Sequence, residues 1–117
     1  MKVLFLTREF PPHVYGGAGV HVEYLAKELA QLMDVEVRSF GDQDMLKENP
    51  SVQGYDYENS AFAKADPQLK ALLQTVSTGL HMNIEPVDAD VAHCHTWYSH
   101  FAGIMAKLCY GIPLVVT

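Results

Sequence analysis

Val3-Leu4-Phe5-Leu6-Thr7-Arg8-Glu9-Phe10-Pro11-Pro12-His13-Val14-Tyr15-Gly16-Gly17-Ala18-Gly19-Val20-His21-Val22 is the stretch that decides the fold. It opens on a short apolar run with the length of a buried strand, and from Val20 its apolar residues fall at helical spacing. A strand that empties through glycines into a helix leaves unpaired N–H groups and the positive end of the helix dipole facing one point, which suits a phosphate. The glycines would let a ligand approach the backbone and permit φ > 0 where the loop turns. The competing reading is a plain structural turn. A dinucleotide fingerprint fits less well, because Gly17-Ala18-Gly19-Val20-His21-Val22 lacks the small third residue and the loop from Thr7 to Tyr15 is too long.

Outward from that stretch, Val22, Leu25, Ala26, Leu29, Leu32 and Met33 predict a helix from about Val20 to Met33. The alternation in Val35-Glu36-Val37-Arg38-Ser39-Phe40 predicts a strand ended by Gly41-Asp42, which completes a βαβ unit. From Gln43 to Lys64 the chain turns polar and irregular, and is expected to cover one edge of the sheet. Asp66-Pro67 supplies an N-cap and a first-turn proline for a helix to about Met82, with Leu69, Leu72, Leu73, Val76 and Leu80 as its apolar stripe. Val91 to His95 is a third strand. A helix capped by Thr96 or Ser99 follows, with Tyr98, Phe101, Ala102, Met105, Leu108 and Cys109 on its inner face and Gly111 at its C-terminus. Pro113 to Thr117 begins a further buried strand.

Alternating strands and helices predict an α/β fold with a parallel sheet and flanking helices, every strand pointing the same way. Arg8 to Gly19, Gly41-Asp42, His95-Thr96-Trp97 and the chain end then share the carboxyl edge, where open α/β sheets bind ligands.

The 117 residues are 49% hydrophobic, enough for one core and too few for a second domain of ordinary size. A formal charge of -6 and a pI near 5.3 argue against nucleic-acid or anionic-membrane partners. A phosphate would have to be held locally, by loop amides and Arg8. The two cysteines, Cys94 and Cys109, are expected in buried positions as small hydrophobes, consistent with a reducing cytoplasm. The N-terminal apolar run is too short for a signal-peptide core, and no later run is long enough to span a bilayer.

His93 and His95 share one face of their strand, and with His13, His21 and His100 they raise a metal site, but no carboxylate or Cys falls at matching spacing. His93 is expected to be a hydrogen-bonded core imidazole and His95 to be the ligand-contacting residue. Cys94 faces the opposite side, which argues against a Cys nucleophile. Asp88 and Asp90 fall at the wrong edge and are expected to be solvated turn residues. Glu9 is better placed, although a surface pair with Arg8 is the simpler expectation. Tyr55, Tyr57 and Phe62 suit either a sugar-stacking platform or plugs over the sheet edge.

Phe10-Pro11-Pro12-His13-Val14-Tyr15-Gly16-Gly17-Ala18-Gly19-Val20-His21 and Val91-Ala92-His93-Cys94-His95-Thr96-Trp97-Tyr98 together resemble the glycogen synthases, in particular the bacterial and archaeal branch of the retaining GT-B glycosyltransferases. Phe40-Gly41-Asp42 and Gly111-Ile112-Pro113 extend the likeness over nearly the whole chain. The resemblance implies two Rossmann-like domains around a cleft, with residues 1–117 forming part of the N-terminal, acceptor-side domain. The nucleotide-binding domain with its paired glutamates would be absent, and the loop carrying the family's active-site histidine would start just past Thr117. It implies transfer of glucose from ADP-glucose, with retention, to the end of an α-1,4-glucan. In some relatives the acceptor is glucose 1-phosphate and the product maltose 1-phosphate. No cofactor or divalent metal is implied.

By position, the resemblance assigns the donor diphosphate to Gly16, Gly17 and Ala18, places His95 and Thr96 near the transferred sugar, and puts Trp97 beside sugar and acceptor, without a complete catalytic set. Val14 and Thr96 stand where the better-known bacterial and plant synthases carry a Lys and an Asp. On this basis the isolated 117 residues are expected to be inactive and to self-associate through an exposed sheet edge. A stand-alone sugar-phosphate or nucleotide-binding module is the competing class.

Overall fold

The structure, a computed structural model, describes residues 1–58 and 62–117. The chain runs β1 (Lys2–Thr7), α1 (Gly17–Leu29), β2 (Asp34–Phe40), β3 (Asp44–Met45), β4 (Ser51–Tyr55), α2 (Lys70–His81), β5 (Val91–His95), α3 (Trp97–Tyr110) and β6 (Leu114–Val116). One six-stranded sheet results, in the order β3-β4-β2-β1-β5-β6. β1 pairs in parallel with β2 on one side and β5 on the other, and β6 continues in parallel beyond β5. The fold is α/β and Rossmann-like, a mostly parallel sheet with flanking helices.

Alternation along β1 sorts the core into two layers. Val3 and Phe5 pack with Val22 and Ala26 of α1 and with Val35 and Val37 of β2. Leu4 and Leu6 face the other way, onto Ala92, Cys94, Met82 and the α3 residues Ala102 and Ala106. Burial on both faces is why this strand reads as an unbroken apolar run. Cys94 faces away from His93 and His95, and burial pushes its thiol pKa up, as expected of a small hydrophobe.

The polar stretch after Gly41 holds more order than its composition suggests. β4 lies parallel to β2, and β3 pairs antiparallel with β4, the one departure from a uniform strand direction among the described residues. A Cβ on Gly54 would fall 2.4 Å from the Gly41 carbonyl carbon, so this backbone-on-backbone approach needs glycine. Asn59 of the neighbouring polar cluster lies outside the described residues.

The helices differ from expectation in which face they bury. α1 starts at Gly17, earlier than predicted, and ends at Leu29, with 30–33 in a turn. α2 begins at Lys70 behind Leu69. Asp66 instead closes a turn, its carboxylate and carbonyl accepting from the amides of Gln68 and Leu69. The buried residues of α2 are Thr75, Thr78 and Gly79, while Leu69, Leu72 and Leu80 are about half exposed. Thr75 and Thr78 satisfy their hydroxyls on the carbonyls of Ala71 and Gln74, so a polar face can be buried at little cost.

α3 buries Ser99, Ala102, Gly103 and Ala106 rather than the larger stripe, leaving Leu108 and Cys109 exposed. The reason is close approach: a Cβ on Gly103 would lie 2.9 Å from Cys94 Sγ and from Leu114 Cδ1. Gly111 ends α3 in the left-handed conformation, φ 66°, as predicted. β6 is an exposed edge strand, with Val115 and Val116 open to solvent, not the buried strand anticipated.

Arg38 ties the sheet to the turn after α2. It is 3% exposed, and its guanidinium donates to the carbonyls of Met82, Glu85 (3.0 Å) and Pro86 (2.9 Å), with Glu36 Oε2 at 3.4 Å. Those three carbonyls belong to a segment without regular structure, so the guanidinium replaces the ladder it lacks. Arg38→Ala is expected to lower unfolding stability by about 3 kcal/mol, measured by urea denaturation, because carbonyls and a carboxylate lose their buried donor.

Candidate functional site

The strand order reverses between β1 and β5, and the loops leaving their carboxyl ends, residues 8–16 and Thr96, open at that crevice. Gly41 and Asp42 leave β2 on the same edge, where His13 Nε2 meets Asp42 Oδ1 at 2.7 Å. His13 thereby holds the Asp42 carboxyl below its usual pKa. Asp88 and Asp90 lie at the opposite edge; Asp90 accepts the backbone N–H of Lys2 at 2.8 Å.

The glycine loop is built differently from the expectation. Glu9 does not pair with Arg8. Its carboxylate accepts the amides of Tyr15 and Gly16, the latter at 3.1 Å, so Gly16 N–H is consumed within the chain. A diphosphate bound by this amide would have to displace Glu9. The amides of Gly17, Ala18 and Gly19, in the first turn of α1, have no acceptor among the described residues and carry the anion-binding potential.

Positive φ is not the reason for these glycines, since Gly16 is extended and neither Gly17 nor Gly19 is left-handed. A Cβ at Gly16 or Gly17 would meet nothing within 4 Å, whereas one at Gly19 would sit 2.9 Å from Glu9 Cβ and Val14 Cγ1. Gly19 serves packing, and the first two keep the surface bare.

Beside this turn lies a cavity of about 190 Å³ lined by Ala18, His21, Val22, His95, Thr96 and Thr117. His93 and His95 share a face, their rings 3.9 Å apart, and the difference from expectation is one of depth. His95 is the deeper residue, 2% exposed, and neither ring nitrogen has a partner. His93 is less buried and its Nε2 meets the Thr117 hydroxyl at 2.6 Å. Burial, with His93 and His21 alongside, pushes the His95 pKa down to about 3, so the ring beside the cavity is neutral. Among the described residues no three His, Cys, Asp or Glu side chains converge as a metal set.

Thr96 follows His95 with φ 65° and ψ 162°, a region that only glycine occupies without strain. Three contacts hold it there: its amide donates to Thr117 O at 2.8 Å, and its carbonyl accepts from Ser99 N at 3.2 Å and Ser99 Oγ at 3.3 Å. Thr96 is the N-cap of α3 by position, yet its side chain makes no cap bond.

On the other side of Arg8 is a larger cavity, about 380 Å³, whose lining includes Arg8, Tyr55, Asp56, Tyr57, Gln74 and Tyr98. Tyr55 packs against the core cluster that Phe40 also covers and, with Tyr57, walls this cavity. Trp97 is 52% exposed and stacks on Tyr98 with ring centroids 4.2 Å apart. The structure therefore gathers Ala18, His95 and Thr96 around one cavity, beside Gly17, and puts Trp97 on another. The sequence reading missed the capping role of Glu9; an acidic residue just upstream of a glycine-started helix was the available signal.

Two measurements check this description. The His95 ring should show no NMR titration from about pH 8 to pH 5, since its pKa is depressed well below the ordinary His value near 6.5. The sign for stability follows: the unfolded chain takes up a proton that the folded one refuses, so folding weakens as pH falls below about 6.5, and His95→Phe should flatten that slope. At the strained position, Thr96→Gly should be more stable than Thr96→Ala by about 1 kcal/mol in denaturant melts, because only glycine relieves the positive φ.

Comparison with known proteins agrees with this arrangement. Residues 15–117 match the family model described as Glycosyltransferase Family 4. Over its whole length the chain is 40% identical to an alpha-maltose-1-phosphate synthase of Mycolicibacterium smegmatis and 41% identical to that of Mycobacterium tuberculosis. It is 30% identical, over 98% of its length, to an uncharacterised glycosyltransferase of Methanocaldococcus jannaschii. The chain spans only 28% of the length of the two synthases and 30% of the archaeal protein. The sheet whose order reverses beside a glycine-started helix is compatible with the match over residues 15–117, and on that match the chain belongs to Glycosyltransferase Family 4.

Proposed function

We propose that residues 1–117 form part of the N-terminal, acceptor-side domain of a two-domain GT-B enzyme that makes maltose 1-phosphate. In this reading glucose passes from ADP-glucose to glucose 1-phosphate with retention of configuration. The observation that carries it is the likeness over the whole chain, 40% and 41%, to proteins named alpha-maltose-1-phosphate synthase. Lengthening of an α-1,4-glucan, as in glycogen synthases, is the second product of the same chemistry. The shared chemistry breaks the bond from glucose C1 to the diphosphate oxygen and forms one from C1 to the acceptor's 4-hydroxyl oxygen. ADP leaves with the bonding pair, and the hydroxyl proton ends on the departing diphosphate.

The chain's own residues fit that transfer. The amides of Gly17 and Ala18 face the negative charge that grows on the leaving diphosphate. Neutral His95 and the strained turn at Thr96 border the same cavity, on the side assigned to the transferred sugar. No residue set here completes the chemistry, and the proposed second domain supplies the nucleotide contacts. The free thiols of Cys94 and Cys109 suit a cytoplasmic protein.

The test is transfer from labelled ADP-glucose by the full-length enzyme, offered glucose 1-phosphate and glycogen in separate reactions. A labelled disaccharide phosphate is the expected product. Label in glycogen alone would reassign the protein to glucan elongation, and inertness toward both acceptors with saturable ligand binding would favour a binding module.

A further inference from the structure

The chain has two arginines, and they are used in opposite ways. Arg38 is enclosed by carbonyls, whereas Arg8 has no ion pair or hydrogen bond to any described residue. Arg8 leaves the central strand directly at the ligand edge, and its Cζ lies 4.2 Å from the Tyr98 ring centroid and 5.8 Å from that of Tyr15. Contact through the face of a guanidinium restrains its plane and leaves the in-plane N–H edge open, the geometry that grips a phosphate with two parallel bonds. In a chain of net charge -6 an uncommitted cation at this edge calls for an anion.

The surroundings say which anion. Arg8 does not line the cavity beside Gly17 and His95; it walls the 380 Å³ cavity and a second one of about 270 Å³ that it shares with His13 and Tyr15. The lining of the larger cavity includes Tyr55, Tyr57, Asp56 and Gln74, residue types that suit a sugar ring and its hydroxyls. Tyr55 is no competitor for the anion: its hydroxyl donates to Glu85 at 3.1 Å, and burial raises its pKa to about 12. Asp42, next to Gly41 of the smaller cavity's lining, is already held by His13 at 2.7 Å. Asp56 would repel a phosphate beside it, which orients a sugar phosphate with its hydroxyls toward Asp56 and its phosphate toward Arg8.

We infer that Arg8 binds the phosphate of the acceptor, glucose 1-phosphate, in the cavity between the carboxyl ends of β1, β2 and β4 and the α2 helix, and so sets the preference for a phosphorylated acceptor. The assignment rests on the function proposed above. It divides the two phosphate groups of that reaction between two cavities: the donor diphosphate goes to the α1 N-terminus and the acceptor phosphate to Arg8.

The experiment is steady-state kinetics of the full-length enzyme with Arg8→Gln and Arg8→Lys, varying glucose 1-phosphate and ADP-glucose separately. Arg8→Gln should raise KM for glucose 1-phosphate roughly 10- to 100-fold, the loss of a charged hydrogen-bond pair, and leave KM for ADP-glucose unchanged. Arg8→Lys should recover part of that loss and serves in its place if Arg8→Gln melts early. Turnover of a neutral acceptor, maltose, should be spared. A rise in the ADP-glucose KM, or equal losses with phosphorylated and neutral acceptors, would overturn the assignment. Should the unmutated enzyme not use glucose 1-phosphate, the functional reading falls by itself. Calorimetric binding of glucose 1-phosphate to unmutated and Arg8→Gln protein then decides the Arg8 assignment, and equal affinities sink it.

Discussion

Val3 to Thr7 are shielded from solvent by helices on either face of the sheet, and that double burial governs where everything else must lie. A strand closed on both faces can be reached only at its ends. Its parallel neighbours β2 and β5 carry their own loops to the same end. The crevice between β1 and β5 is thus a consequence of strand order, and the glycine-started α1, His95 and Thr96 meet there although their sequence separation is large. Small residues at the contacts, Gly19 against Glu9 and Gly103 against Cys94, bring the helices close enough for those loops to converge.

Several features at this edge oppose folding taken alone. His95 is buried with both nitrogens unpartnered, and Thr96 holds a conformation suited to glycine. Departures of this kind persist where the surrounding structure over-determines them, and they cluster at ligand sites. In the scaffold, Asn49 accepts from Val35 N and donates to the carbonyls of Ala30 and Met33. Asn83 similarly donates to Gly79 of α2 and Ala102 of α3.

Charge follows the same division. Glu9 neutralises two loop amides that would otherwise compete for an anion, and leaves the inner turn of α1 to do so. Arg38 is spent on holding the segment after α2, which carries Met82 into the core. Arg8 remains, oriented by an aromatic ring and bonded to no described residue. An acidic chain can therefore carry two local positive features without a basic surface, because amide dipoles and one guanidinium act over a few ångströms.

The sequence by itself determined the α/β class, the parallel direction of its main strands and the edge at which their polar and glycine-rich loops gather. Each of these is written in local pattern: an unbroken apolar run means a strand buried twice, and alternation in β2 and a left-handed glycine after α3 act over a few residues. Only the tertiary structure decided which helix faces are buried, since α2 and α3 lie so close to their neighbours that threonine, glycine and alanine fit where leucine does not. It also decided that β4 pairs with β2, that Glu9 caps the loop, and that His95 is deeper than His93. Those outcomes depend on contacts between residues far apart in the chain, whose distances no local periodicity encodes.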